Sequence, residues 1–187
     1  MDENYYSEEN HGPHNYLELG DYRLQSGEVL QDAILAYKTQ GVLNAAKDNA
    51  ILFPHMWSGT SASMEMFVGE GRPLDPEKYF VIFPGQFCNG FSSSPSNTSA
   101  PQGGGAFPNV TIADDVLAQH RLVCEHFGIK QLELVTGWSM GAEQTYEWAV
   151  RFPEMVKRAV PFAGTAKTTP HDYLWVRAHE NAIKSDP

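Results

Sequence analysis

One pentapeptide constrains this chain more than any other feature: Gly137-Trp138-Ser139-Met140-Gly141, which follows the apolar run 132–136 and precedes a helical pattern from 141 to 152. A serine at such a junction sits in a strained strand-to-helix turn, and side chains at 137 and 141 would strike neighbouring backbone. The turn lifts Ser139 Oγ to the C-terminal edge of a sheet and aims the Met140 N–H at the same point. That combination suits a nucleophile with one donor for a developing oxyanion. Glycine and serine are common, so the bare pattern also arises by chance. The flanking strand and helix are what make it specific.

The rest of the chain supplies the sheet that such a turn requires. Leu17, Leu19, Tyr22 and Leu24 fall around Gly20-Asp21 and predict a hairpin start, and 32–39 reads as a second strand. Ala50-Ile51-Leu52-Phe53 and Tyr79-Phe80-Val81-Ile82-Phe83 are unbroken apolar runs, the mark of parallel strands covered on both faces. Ser61 to Phe67 between them suits a short helix. Thr111 caps a helix whose first turn holds Asp114 and Asp115, and Gly128 closes it. His120 and His126 on this helix read as packing or surface residues. Residues 158–162 form a further strand, and a last helix starts near Pro170. Strands alternating with helices predict an α/β fold, a mostly parallel sheet between helices.

Two segments fall outside this pattern. Residues 1–15 are polar and acidic, and predict a flexible tail ahead of one domain spanning 16–187. His11 and His14 in that tail could suggest a metal, but no metal site is expected. Gly85 to Pro108 is rich in Ser, Gly, Pro and Asn, and predicts either a functional or a disordered loop. Its glycines lack the following Gly-Lys-Ser/Thr of a phosphate loop and the Rossmann spacing.

Composition narrows the partners. The net charge of −10 over 187 residues opposes binding to nucleic acid or an anionic membrane. No apolar run reaches membrane-spanning length. Cys88 and Cys124 cannot make a disulfide framework, and no basic-then-apolar leader is visible, so a reducing, cytoplasmic location is expected.

A second group of motifs is spread from about Gly27 to Thr168. It comprises Ala36-Tyr37-Lys38-Thr39-Gln40-Gly41, Asn49-Ala50-Ile51-Leu52, the His55–Gly59 loop and Tyr79-Phe80-Val81-Ile82. Phe107-Pro108-Asn109-Val110-Thr111-Ile112 follows, with Asp114 and Gln119, then Gly128-Ile129, Gln144, Glu147-Trp148-Ala149, Phe152-Pro153-Glu154 and Val156. In these the chain resembles the homoserine O-acetyltransferase family of the α/β-hydrolase superfamily. The resemblance implies the α/β-hydrolase fold and a serine that takes an acyl group from acetyl-CoA, or another acyl-CoA, and passes it to a hydroxyl. It assigns Ser139 as nucleophile, with Met140 N–H and Trp57 N–H as oxyanion donors and Gly137 and Gly141 as the elbow glycines. The partners implied are a small-molecule acyl donor and a hydroxyl acceptor, with no bound cofactor. Trp138 and Ala142 stand where that family usually has glycine, and the 85–99 loop also differs. A serine ester hydrolase of the same fold is the alternative.

The base and its orienting acid are not evident. In this fold both follow the serine in chain order. His55 therefore reads as a structural residue of its loop. Downstream of Ser139 stand only His171 and His179, with Asp172 and Asp186. Neighbours on one short segment cannot easily supply base and orienter in line. The expectation is a fold truncated before its last strands and lid, with acid and base beyond Pro187. The further partners expected are a second copy in a homodimer or a second chain supplying the C-terminal half. A non-catalytic chain is the remaining alternative.

Overall fold

A computed structural model describes residues 5–186. Six strands form one sheet in the order β1-β2-β4-β3-β5-β6: Asn15–Arg23, Val29–Gln40, Phe80–Pro84, Ala50–Leu52, Leu134–Trp138 and Ala159–Phe162. β1, β2 and β4 pair antiparallel, whereas β4, β3, β5 and β6 run parallel. The helices are α1 (Glu8–His11), α2 (Ile112–Arg121), α3 (Met140–Arg151) and α4 (Pro170–Ser185). A π-helical turn, Leu122–His126, extends α2 as far as Gly128, which adopts φ 65°. Among the described residues no helix is long and apolar enough to cross a membrane.

The unbroken apolar runs have the predicted cause. Successive strand residues point to opposite faces, and here both faces are covered. Leu52, Ile82 and Val135 face one way, packed with Val116, Leu122 and Trp148 from α2 and its extension and from α3. Ile51, Phe53, Val81 and Phe83 face the other way, against Met64 and Val68. That second face is roofed by the 3-10 helix Ser61–Phe67.

One expectation needs correction, and two segments gain detail. β1 does not turn at Gly20-Asp21. It runs through with register shifts on either side of Gly20, a bulge, and the chain reverses later, where Gly27 N–H donates to Leu24 O. The segment expected as a flexible tail is exposed over most of residues 5–10 and makes contacts with the sheet and loops nearer its end. His14 is buried and stacks on Phe91 at 4.0 Å, and Lys38 Nζ donates to His11 O. Residues 1–4 of that segment lie outside the described residues. The long 85–108 loop is anchored to the sheet. Ser92 Oγ and Ser93 Oγ accept the N–H groups of Ala36 and Ile34 at 3.0 and 2.9 Å. Because β4 pairs with β2 only over residues 37–40 of β2, the loop satisfies backbone that the ladder leaves open.

β6 is an edge. It pairs with β5 on one side only, and Val160 is 52% exposed. α4 does not cover it: none of its residues is buried, and Tyr173, Leu174, Trp175, Val176 and Ile183 are all more than half exposed. A bare strand beside an unpacked apolar helix favours pairing with other chains. Sedimentation of the isolated chain should therefore show concentration-dependent association, with rapid hydrogen exchange across 159–162. A monomer with slow exchange there would contradict this description of the edge.

Candidate active site

Ser139 ends β5 and begins α3. Its backbone sits at φ 56°, ψ −119°, a region that costs a non-glycine residue on the order of 1–3 kcal/mol. The surroundings hold it there. Ser139 N–H donates to Phe162 O of β6 at 3.1 Å, and Ser139 O accepts Ala142 N–H at 2.8 Å. A methyl group on Gly137 would overlap the Gly141 carbonyl, and one on Gly141 would overlap the Pro54 carbonyl and lie 3.0 Å from His55 O. Both glycines thus let backbone pass where a side chain cannot, and Gly141 brings α3 against the loop after β3.

That loop carries Trp57. Its N–H meets no acceptor among the described residues, and its side chain is 77% exposed. Met140 is the first residue of α3, where an N–H has no intrahelical acceptor. Met140 and Trp57 share a cavity of about 200 Å³ with Gln86, Cys88, Asn89 and Asp115. Ser139, half-buried, adjoins this cavity through Met140 but does not itself wall it. Trp138, one residue earlier, lies parallel to Phe162 and edge-on to Phe67.

His55 lies beneath the loop, fully buried. Its Nδ1 lies 2.8 Å from Met56 O and 2.7 Å from Gln86 Nε2, and its Nε2 lies 3.3 Å from Asn89 Nδ2. Gln86 Nε2 donates to His55 O at 2.8 Å. Burial drives the imidazole pKa down to about 4, outweighing the Met56 hydrogen bond, so this histidine is a neutral brace.

The downstream acid and imidazoles are engaged elsewhere. Asp172 accepts Thr169 Oγ1 at 2.6 Å and caps α4. His179 Nδ1–H donates to Trp175 O at 2.8 Å, and the two rings lie 4.1 Å apart. Neither Asp172, His171 nor His179 bonds to Ser139 among the described residues, so no triad is assembled within them. No group of three or more His, Cys, Asp or Glu able to hold a metal occurs among the described residues.

Sequence reasoning missed Asp115, Gln86 and Asn89. Asp115 is buried, with Oδ1 accepting Phe87 N–H at 2.7 Å. Burial first, then the charge of Asp114, push its pKa up to about 8 against the pull of the Phe87 hydrogen bond. The available signal was its spacing: three residues after Ile112 and four before Gln119, it falls on the inward face of α2.

Residues 49–186 match the alpha/beta hydrolase fold family. The chain is 52% identical over 184 residues to an ethyl acetate hydrolase of Pseudomonas veronii, covering 98% of this chain and 53% of that protein. It is 38% identical over 182 residues to a homoserine O-acetyltransferase of Solidesulfovibrio magneticus, covering 88% of this chain and 45% of that one. Among solved structures, an acetylester hydrolase from Corynebacterium glutamicum superposes with a TM-score of 0.95 at 46% identity, over 100% of this chain and 54% of that chain. The chain spans about half the length of the curated relatives it matches. With a strained serine turn, two closely fitted glycines and a parallel sheet behind them, it belongs to the alpha/beta hydrolase fold family.

Proposed function

We propose that this chain carries the nucleophile half of a serine ester hydrolase acting on short-chain esters such as acetates. The observation that carries the reading is Ser139 at φ 56° on a strand-to-helix turn, beside a cavity flanked by Met140 and Trp57. In this mechanism Ser139 Oγ attacks the ester carbonyl and its proton passes to a base. The tetrahedral oxyanion is held by the N–H groups of Met140 and Trp57. The alcohol leaves as the C–O bond breaks and takes a proton. Water then cleaves the acyl-serine and releases the acid. The base and its orienting carboxylate come from a region equivalent to the half of the relatives that these 187 residues do not match.

Hydrolysis is preferred to acyl transfer because the relatives at 52% and 47% identity are named as hydrolase and esterase, while an acetyltransferase stands at 38%. Trp138, where the acetyltransferases usually have glycine, supports the same preference. An acyl-CoA donor belongs to the weaker reading. The free thiols Cys88 and Cys124 fit a cytoplasmic setting.

The test is acetate release from ethyl acetate by the 187-residue chain, alone and with a polypeptide spanning the unmatched half of the Pseudomonas veronii relative. Release is expected only from the combination, and Ser139→Ala should abolish it. Faster acetyl transfer from acetyl-CoA to homoserine would reverse the choice of reaction. Absence of both activities would favour a non-catalytic chain.

A further inference from the structure

We propose that His120, Cys124 and Met155 form a binding site for a soft monovalent metal ion, copper(I), at the end of α3 remote from Ser139. The helix runs from Met140 to Arg151, so roughly 18 Å of it separates the serine turn from this trio. The site stands independently of the ester-hydrolase reading.

Three lone-pair donors meet there. Cys124 Sγ lies 3.3 Å from His120 Nε2 and 3.8 Å from Met155 Sδ. A metal about 2.3 Å from sulfur and about 2.0 Å from nitrogen spaces a sulfur–nitrogen pair by about 3.5–3.7 Å and a sulfur pair by about 3.8–4.0 Å. The two gaps in this structure therefore need to open by only a few tenths of an ångström. In the Nδ1–H tautomer of His120, the single thiol hydrogen faces two acceptors, the imidazole nitrogen and the thioether sulfur. A cation in place of that hydrogen engages all three atoms.

The fold holds the donors in place. His120 stacks on Phe152 at 4.2 Å, which fixes the plane of its ring. Met155 is buried, and its N–H donates to Phe152 O at 2.9 Å. The α2 helix passes into its π-helical turn at Leu122, between His120 and Cys124. Such turns are rare and are frequent at functional sites. His120 and Cys124 are only partly buried, so the trio lies at the surface.

The surroundings favour a cation. Glu125 on the π-helical turn and Glu154 after α3 act on His120, and Glu125 acts on Cys124 as well. Arg121 is held by Glu125 and by the Leu19 carbonyl. Burial, then Glu125, raises the Cys124 pKa. Burial outweighs the two carboxylates and lowers that of His120. Near pH 7 the thiol thus keeps its proton and the imidazole is neutral. Binding releases that one proton to solvent as the bond from Cys124 Sγ to copper forms, with no change of oxidation state. Thiolate and thioether sulfur select copper(I) over harder divalent ions. Methionine is the third donor, since no triple of His, Cys, Asp and Glu able to hold a metal occurs among the described residues.

The experiment titrates copper(I) anaerobically into the full 187-residue chain, in competition with bicinchoninate, a chromophoric copper(I) chelator. One equivalent should bind, with X-ray absorption showing two sulfurs and one nitrogen about the metal. Affinity should rise about tenfold from pH 7 to pH 8, as release of one proton requires. Met155→Leu keeps the side-chain volume and His120→Phe keeps a ring against Phe152, so each removes a donor atom and spares the packing. Each should weaken binding about tenfold or more, and Cys124→Ser about a hundredfold. Cys88→Ser, which removes the exposed thiol, should leave affinity unchanged. No binding at one equivalent, full affinity in Met155→Leu or His120→Phe, or loss in Cys88→Ser with retention in Cys124→Ser would each overturn the proposal. So would zinc(II) held as tightly as copper(I).

Discussion

Gly141→Ala is expected to destabilise the chain by about 3 kcal/mol or more, enough to leave much of it unfolded. The added methyl group would occupy the position of the Pro54 carbonyl, and backbone cannot swing away as a flexible side chain can. Either α3 must lift from the sheet or the loop bearing Trp57 must retreat. Both movements separate Met140 from Trp57. Gly105→Ala is the control, since a methyl there meets nothing within 4 Å, and its effect should stay within about 0.5 kcal/mol. Urea unfolding followed by far-UV circular dichroism measures both. A loss below about 1 kcal/mol for Gly141→Ala would show that α3 and the loop are not pressed together as described.

Asp115→Asn should stabilise the chain, by an amount that grows with pH. The carboxyl titrates at 3.8 in an unperturbed setting and near 8 when folded. The folded state therefore holds the proton more tightly. The advantage of the protonated acid is fully present below about pH 3.8 and is lost as pH rises through 8. Between those limits the parent chain loses up to about 1.4 kcal/mol per pH unit from this group, and asparagine loses none. Urea midpoints for the two proteins should thus diverge steadily from pH 5 to pH 8 and run parallel above pH 9. Parallel curves throughout would mean that Asp115 is solvated or paired with a cation.

The sequence disclosed the sheet and the turn because each rests on local chemistry. Apolar runs at 50–53 and 79–83 mark doubly covered strands, and two glycines around a serine mark the junction. What it concealed depended on contacts far apart in the chain. The bulge at Gly20 exists because β1 must keep pairing with β2 to Val29, and Gly-Asp reads as a turn only when that partner is unseen. The tail residue His14 is buried by Phe91, 77 positions away, and such a contact leaves no local trace. Serines at 92 and 93 looked like linker composition, yet they replace strand partners for Ile34 and Ala36. Asp115 was read for its charge at a helix start, while its inward-facing position decides its role.

The central proposal is that Ser139 is the nucleophile and that the base activating it is not assembled beside it among residues 5–186. The most direct measurement is labelling by a fluorophosphonate, followed by peptide mapping of the adduct. The 187-residue chain should label slowly, with the adduct on Ser139. The complementing half from the relative should raise the rate at least a hundredfold, and Ser139→Ala should give no adduct. Rapid labelling of the chain alone, or an adduct on another residue that survives Ser139→Ala, would contradict the account.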